Sequence, residues 1–469
     1  MAKEVTLGLI FGNRSFFPDS LVKKGREEVL AVLAKQGIGS VCPSPRETKL
    51  GAVETREDAK ECARLFREQK DKIDGILVSL PNFGDEKGVA EAIRMADLNV
   101  PLLVQAFPDQ VGAMGMGQRR DAFCGKLSVC NNLKQYGIPF SLTSEHVQSP
   151  NRESFKRDLT VFKQVCKIVR GLKGARIGAI GARTNPFNTV RYSEKILESA
   201  GISVETIDLS EIFGRINQIK DGDQRVAKEL REIKRYCSVE QVPPEALIKM
   251  AKFRSVINGW VAQNDLDGTA IQCWTSLQEY LGFIPCTMMS MMSESLLPSA
   301  CEVDVMGALA MFALQLASGS PSAIVDWNNN YGDKPDRAFI FHCSNLPRSW
   351  FKEVRMSYNK IIATGVGQEN AWGTCEGPLN PGSITYLRLS TDDVQGCITS
   401  YLGEGKIIPD STKTFGGWGV IEIKNLQNLL GYISKNGFEH HVSIGPGWLA
   451  RPLQEALETY LGCKVYRHE

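Results

Sequence analysis

Short apolar runs alternate with amphipathic helical segments from the N-terminus onward, and this alternation limits the fold more than any other feature of the chain. Residues 5–11, 73–80 and 101–106 read as buried strands, with helices at 19–36, 58–72 and 88–96 between them. Continuously apolar strands separated by helices imply a parallel sheet covered on both faces, because each crossover lays its helix on the sheet. A second unit of the same kind opens with a strand at 175–180, after a long amphipathic helix at 152–172. It continues with a helix at 189–200 and a strand at 203–208. Its first strand runs into Gly178-Ala179-Ile180-Gly181-Ala182-Arg183, which lacks the full GxGxxG of a dinucleotide turn. A tight turn facing a cleft is the reading it supports.

The C-terminal third is different. Around residues 327–336 the composition shifts to Asn, Gly, Asp and Pro, which marks a loop or boundary. Beyond it, 338–343, 384–390, 397–402 and 418–423 are short β-type runs between Gly and Pro turns. A chain of 469 residues is also too long for one core. The expected fold class is therefore α/β: two Rossmann-like doubly wound domains, at residues 1–170 and 171–328, followed by a β-rich, barrel-like domain at 329–469. The charged stretch 221–254 reads as a solvated helical pair.

Several function classes are disfavoured. A net charge of +2 lacks the basic excess of a nucleic-acid binder. No run approaches the roughly 18 apolar residues that span a bilayer, and the N-terminus is not patterned as a signal peptide, so a cytoplasmic location is expected. The 13 cysteines are scattered without a CxxC pair, as expected for reduced thiols rather than a disulfide framework.

The residues that carry chemistry are Glu302, Asp326, His342 and the pair His440-His441, all set in apolar or glycine-rich surroundings. A buried carboxylate is costly unless it is paired or holds a cation. Two carboxylates with one or two imidazoles suit a divalent ion of manganese type, which polarises a substrate oxygen. Each residue also has a structural reading. Glu302 would be an acid at the N-terminus of the apolar helix that follows. Asp326 would cap a loop, His342 would be a core histidine, and His440 would orient its neighbour or bond a substrate hydroxyl.

The pattern resembles that of the L-fucose isomerase and L-arabinose isomerase superfamily, and the similarity extends over essentially the whole chain. The similar segments are Cys301-Glu302-Val303-Asp304-Val305-Met306-Gly307, with Glu302 heading a helix; Ile324-Val325-Asp326-Trp327; and Phe438-Glu439-His440-His441-Val442. Asp326 lies 24 residues after Glu302, and His342 16 residues after Asp326. Gly117-Gln118-Arg119-Arg120-Asp121, Gly125-Lys126 and Gln272-Cys273-Trp274 are weaker matches.

The resemblance implies manganese, with cobalt or magnesium able to replace it. Its ligands would be Glu302, Asp326 and His441, with His342 a further ligand in the arabinose-type arrangement. Glu302 and Asp326 would double as the acid/base pair that interconverts an open-chain aldose and its 2-ketose through a cis-enediol; a 1,2-hydride shift is the alternative route. Substrate contacts are expected from Arg14, Phe83, Gln272, Trp274, Arg183 and His440. A homo-oligomer, trimer or hexamer with shared sites, is also implied. The leading expectation is an L-fucose/L-arabinose isomerase-like enzyme acting on a small sugar. A second is an isomerase for a C6-anionic sugar such as sulfoquinovose, converted to 6-deoxy-6-sulfofructose. A third is a non-catalytic sugar-binding protein. The anionic option rests on Arg14, Arg183, Arg119 and Arg120 near strand ends, where a guanidinium fork suits sulfonate, phosphate or carboxylate. The competing reading pairs these arginines with acids such as Asp121 or Glu194.

Overall fold

The computed structural model describes residues 4–469. Their contacts form two compact units: one runs to Arg170 and takes in Glu455–Leu461, and the other comprises Gly171–Gln454 with Gly462–Glu469. No helix among the described residues is long and apolar enough to cross a membrane.

In the first unit, β1 (Thr6–Phe11), β2 (Gly39–Val41), β3 (Gly75–Leu80), β4 (Leu102–Ala106) and β5 (Ser141–Leu142) form one sheet in the order β2-β1-β3-β4-β5. Every pairing is parallel. This is the 2-1-3-4-5 order of flavodoxin-like folds, with its topological switch between β1 and β3. The helix Arg56–Glu68 shows how local sequence sets the pieces. Thr55 and Asp58 form a reciprocal capping box. Ala59, Cys62, Ala63 and Phe66 then recur at helical spacing on the buried face. The Phe66 ring lies on Gly8 of β1, where a Cβ would come within 2.8 Å of it, so only glycine fits.

The second unit holds two sheets. β6 (Arg176–Ile180), β7 (Ser203–Ile207), β8 (Gly268–Ile271) and β9 (Ser299–Cys301) form a parallel sheet in the order β7-β6-β8-β9. The other sheet has nine strands: β10 (Ala323–Asn330), β11 (Arg337–His342), β12 (Arg355–Tyr358), β13 (Trp372–Pro378), β14 (Gly382–Asp392), β15 (Cys397–Ile408), β16 (Gly417–Glu422), β17 (His441–Pro446) and β18 (Lys464–Arg467). They run in the order β12-β13-β16-β11-β10-β17-β14-β15-β18. An added pairing of β15 with β16, Ile407 opposite Ile421, joins the ends of the run from β16 to β15 and closes six strands into a barrel. The doubly wound and barrel-like readings of the fold are thus the observed ones.

The helix Val305–Ser318 is apolar on nearly every side because it packs against β17 and β14 of the barrel and against β6 and β8 of the parallel sheet. It brings the end of one sheet to the wall of the other.

Two details differ from expectation. Residue 328, read as a domain boundary, lies inside β10, so Asp326 belongs to the barrel sheet and not to the second parallel sheet. The expected helix at 189–200 shrinks to a single turn, Asn188–Val190, and a short helix, Glu194–Ser199. The backbone N–H of Ser193 donates to Thr391 Oγ1 instead of continuing the helix.

Candidate metal centre

Three parallel strands end beside the cluster, as the strand-end rule for doubly wound sheets anticipates. Trp274 follows β8, Glu302 follows β9, and the loop after β6 carries Phe187. The barrel wall supplies the rest. Asp326 and His441 are direct antiparallel partners on β10 and β17, so their side chains leave the same face of the sheet. His342 ends β11, the other neighbour of β10.

Glu302 does not head the helix. The cap is Asp304, which accepts the Gly307 N–H at 2.8 Å, and Glu302 stands on the approach to it. Glu302 and Val303 both adopt left-handed backbone, with φ of 56° and 58°. That conformation is costly for a side chain with a Cβ, and most of all for a β-branched valine. The surrounding contacts therefore hold this turn in place and aim the Glu302 carboxylate. Gly307 must be glycine, because a Cβ there would lie 2.5 Å from Asp304 Oδ2.

His441 is the centre of the cluster. Its Nε2 lies 3.1 Å from Glu302 Oε2 and 3.5 Å from Asp326 Oδ1. Its Nδ1 lies 2.8 Å from Asp304 Oδ2. Arg388 grips Asp304 with two bonds, at 2.6 and 3.0 Å, and reaches Glu439 at 3.0 Å. Ser390 donates to the other oxygen of Glu439 at 2.8 Å. Asp304 and Arg388 are fully buried. The Asp304 carboxylate fixes the ring and tautomer of His441, as carboxylates do behind metal-binding imidazoles. His441 is 2% exposed and His440 42%, with His440 Nε2 at 3.8 Å from Asp326.

Charges follow from these contacts. Burial alone would raise Glu302, but His441, His342 and the Trp274 N–H hold it well below the usual carboxylate range. Burial would also raise Asp304, which Arg388 and His441 instead depress. Asp326 has no such anchor, so burial pushes it up to about 7, the attraction of His441 notwithstanding. Burial lowers His342 and His440 to about 4 each. It would lower His441 too, but bonds to Asp304 and Glu302 raise that ring above its ordinary value. A proton on His441 Nε2 would face the two carboxylates, and a cation bound there would take its place.

The donor set fits such a cation. Glu302 Oε2, Asp326 Oδ1 and His342 Nδ1 are buried and make no well-formed hydrogen bond among the described residues; the two oxygens share only the contact with His441 Nε2, an arrangement that native proteins rarely leave uncompensated. Cis donors about 2.1 Å from an octahedral ion lie about 3 Å apart, close to the separations found around His441 Nε2. Donor atoms of Cys301, Glu302, His342 and His441 lie within 4.8 Å of one another, as do those of Asp326, His440 and His441. Trp274 Nε1–H donates to Glu302 Oε1 at 3.0 Å, leaving Oε2 as the open oxygen. Phe187 stands edge-on to Trp274 at 6.1 Å and to His440 at 5.4 Å, an aromatic wall against which a sugar C–H face can pack.

Glu302, Asp326, His342, His440, His441 and Trp274 therefore come together. Gln272 is engaged elsewhere, accepting from the Ala182 N–H and donating to Ser276. Arg183 donates to the carbonyls of Thr184 and Asn185 in its own loop. Arg14 and Phe83 belong to the first unit, where Arg14 stacks on the Phe83 ring at 4.3 Å and is paired with Glu86. Arg119 is paired with Asp121. The sequence reading missed Asp304, Arg388, Glu439, Cys301 and Phe187. A signal existed for two of them: Asp304 precedes an apolar helix as a capping acid, and Arg388 interrupts the apolar strand segment Ile384-Thr385-Tyr386-Leu387.

Fold and cluster together define an α/β protein with a strand-end cluster of side chains that could hold a metal ion. The family description "Fucose/sulfoquinovose isomerase, N-terminal domain" matches residues 8–173, and "L-fucose isomerase, C-terminal domain" matches residues 340–469. The chain belongs to the L-fucose isomerase superfamily. Among curated relatives, the sulfoquinovose isomerase of Alkalicoccus urumqiensis is 22% identical over 386 residues, covering 81% of this chain and 83% of the relative. The sulfoquinovose isomerase of Priestia aryabhattai is 23% identical over 273 residues, covering 58% of this chain. The chain spans 59% of that relative's length. A sulfoquinovose isomerase of Clostridium sp. (strain MSTE9) is 21% identical over 179 residues, or 38% of this chain and 40% of the relative.

Proposed function

We propose that the protein is a metal-dependent aldose–ketose isomerase whose substrate is a C6-anionic aldose of the sulfoquinovose class. The reading is carried by the buried oxygens of Glu302 and Asp326, which converge on the oriented Nε2 of His441 and make no other hydrogen bond among the described residues. The cation, manganese by preference for hard oxygen and imidazole donors, would supply Lewis-acid polarisation of the C1 and C2 oxygens of the open-chain sugar. Glu302 and Asp326 act as the acid/base pair, one taking the C2 proton and a proton being returned at C1. Asp304 keeps the His441 Nε2 lone pair aimed inward, and Trp274 holds Glu302 so that one oxygen stays open. Phe187 and Trp274 shield the reacting face from water.

The names of the relatives favour the anionic sugar over fucose or arabinose. Arg183 supports it, since no carboxylate among the described residues pairs with it and it lies four residues before Phe187, in the loop that reaches the cluster. Arg14 and Arg119, by contrast, are already neutralised by Glu86 and Asp121. A homo-oligomer of cytoplasmic location completes the proposal.

The test is a panel of neutral and C6-anionic aldoses assayed with manganese in D2O. Ketose should form from the anionic member, carrying solvent deuterium at C1 as an enediol route requires. Arg183→Ala should raise KM for the anionic sugar about 10-fold or more while sparing a neutral analogue, as expected for a charge-assisted contact. Turnover confined to neutral deoxyhexoses or pentoses would return the reading to a fucose- or arabinose-type enzyme.

A further inference from the structure

Cys301 ends β9 immediately before Glu302, and its Sγ lies 2.9 Å from His342 Nε2. Both residues are buried, and the other ring nitrogen of His342 has no partner. The hard-donor reading of the cluster does not use the sulfur. Yet donor atoms of Cys301, His342, Glu302 and His441 all lie within 4.8 Å of one another. One sulfur, two imidazoles and one carboxylate make a four-donor set of the kind that zinc takes tetrahedrally, whereas manganese and magnesium favour oxygen-rich sets.

We propose that Cys301, His342, Glu302 and His441 form a second, inner cation position that takes a thiophilic divalent ion such as zinc and excludes the harder ion bound through Asp326. Exclusion follows from the shared ligand. His441 Nε2 has one lone pair and serves one cation at a time. An ion drawn inward by Cys301 also draws Glu302 away from Asp326. Zinc-class ions therefore compete with manganese-class ions, although each position has a ligand the other lacks. This inference rests on the donor geometry and holds whether or not the chain isomerises a sugar.

The experiment uses the metal-stripped full chain, titrated with Zn2+ and Mn2+ by calorimetry and with Co2+ by absorbance. Bound Co2+ should show a thiolate-to-cobalt charge-transfer band in the near ultraviolet that Cys301→Ser lacks. Cys301→Ser should weaken Zn2+ binding by about 10-fold or more while leaving Mn2+ within about threefold, as the softness of the lost donor dictates. Asp326→Asn should do the reverse. His342→Gln should repeat the zinc loss, which keeps the test decisive if Cys301→Ser folds poorly. Absence of the cobalt band from the wild type, or equal loss of Zn2+ and Mn2+ in Cys301→Ser, would overturn the inner position. Zinc bound through Cys301 with no manganese binding at all would support the inner position and overturn the outer one.

Discussion

The two parallel sheets end in polar crevices of opposite kinds. In the first unit most of the groups at the strand ends bond to one another, although the buried Gln148 Oε1 has no hydrogen-bond partner among the described residues. Asn82 donates to Asn13 at 2.7 Å, Asn13 donates to Glu54 at 2.6 Å, and the Gly84 N–H donates to Asn82 at 3.0 Å. Deeper in, Ser79 donates to Gln105 at 2.6 Å, and Gln105 donates to the Gln148 carbonyl at 2.8 Å. In the second unit the supporting layer is equally complete, Asp304, Arg388, Glu439 and Ser390 being bonded in series. The layer in front of it, however, leaves oxygens of Glu302 and Asp326 with only the contact to His441 Nε2 among the described residues. A closed network stabilises a fold, whereas an open one backed by a closed one stores the capacity to bind. On the proposed reading, the same sheet architecture serves as scaffold in one unit and carries the chemistry in the other, and the clustering of donors around His441 rather than topology tells them apart.

The sharpest way to break this comparison is to neutralise the open layer. Glu302→Gln and Asp326→Asn should each lower turnover by at least about 10²-fold, the scale of a lost general base. Thermal unfolding should change far less than turnover, because each variant keeps the size of the side chain, although Glu302→Gln also weakens the buried ion pair with His441 at 3.1 Å. Turnover within a small factor of wild type in either variant would remove that residue from the chemistry.

Removing the support behind the open layer should act on the cation first. Asp304→Asn leaves a side chain of similar size but no anion to hold the His441 Nδ1 proton, and cation affinity should fall about 10- to 100-fold. Calorimetry with Mn2+ reads this directly. Part of the lost turnover should return at high cation concentration, which a purely structural defect would not allow.

In the closed crevice the same kind of change should cost stability. Asn82→Ala strips partners from Asn13 and from the Gly84 N–H, and should lower stability by about 1–3 kcal/mol. Denaturant unfolding followed by a probe in the first unit measures it. A stability equal to wild type would mean that the crevice is not the closed network described.

A test through pH concerns Lys126, buried in the first unit with its ammonium bonded to Thr143 and the His146 carbonyl. Burial pulls it down to about 8, against about 10.4 in an unfolded chain. A folded value below the unfolded one favours the neutral amine, so its stabilising contribution is full above the unfolded value. That contribution is lost as pH falls through the folded one. Wild type should therefore gain stability relative to Lys126→Met as pH rises from 8 to 10.5. Parallel curves for the two proteins would contradict the shift.

Much of this was legible in the chain. Alternation of buried strands and helices identified both parallel sheets, and short runs between Gly and Pro turns identified the barrel. The carboxylates announced themselves by standing in apolar surroundings. What stayed hidden depends on pairs distant in sequence. Arg388 and Asp304 are 84 residues apart, and His441 and Asp304 are 137 apart. No local pattern shows that one buried charge answers another. The left-handed turn at Glu302 and Val303 was hidden for a related reason: it contains no glycine, so only tertiary packing can impose it. The shift in composition to Asn, Gly, Asp and Pro suggested a boundary, but β10 runs into that segment, because a strand at a barrel rim can end in polar residues once its first half is buried.

The central claim is that the open donors hold a cation on which aldose–ketose isomerisation depends. The most direct measurement is ketose formation from a sulfoquinovose-class aldose by chelator-stripped protein, before and after manganese is added back. Stripping should abolish turnover and manganese should restore it in the wild type but not in Glu302→Gln. Full turnover by the stripped protein, or equal restoration in the variant, would contradict the account.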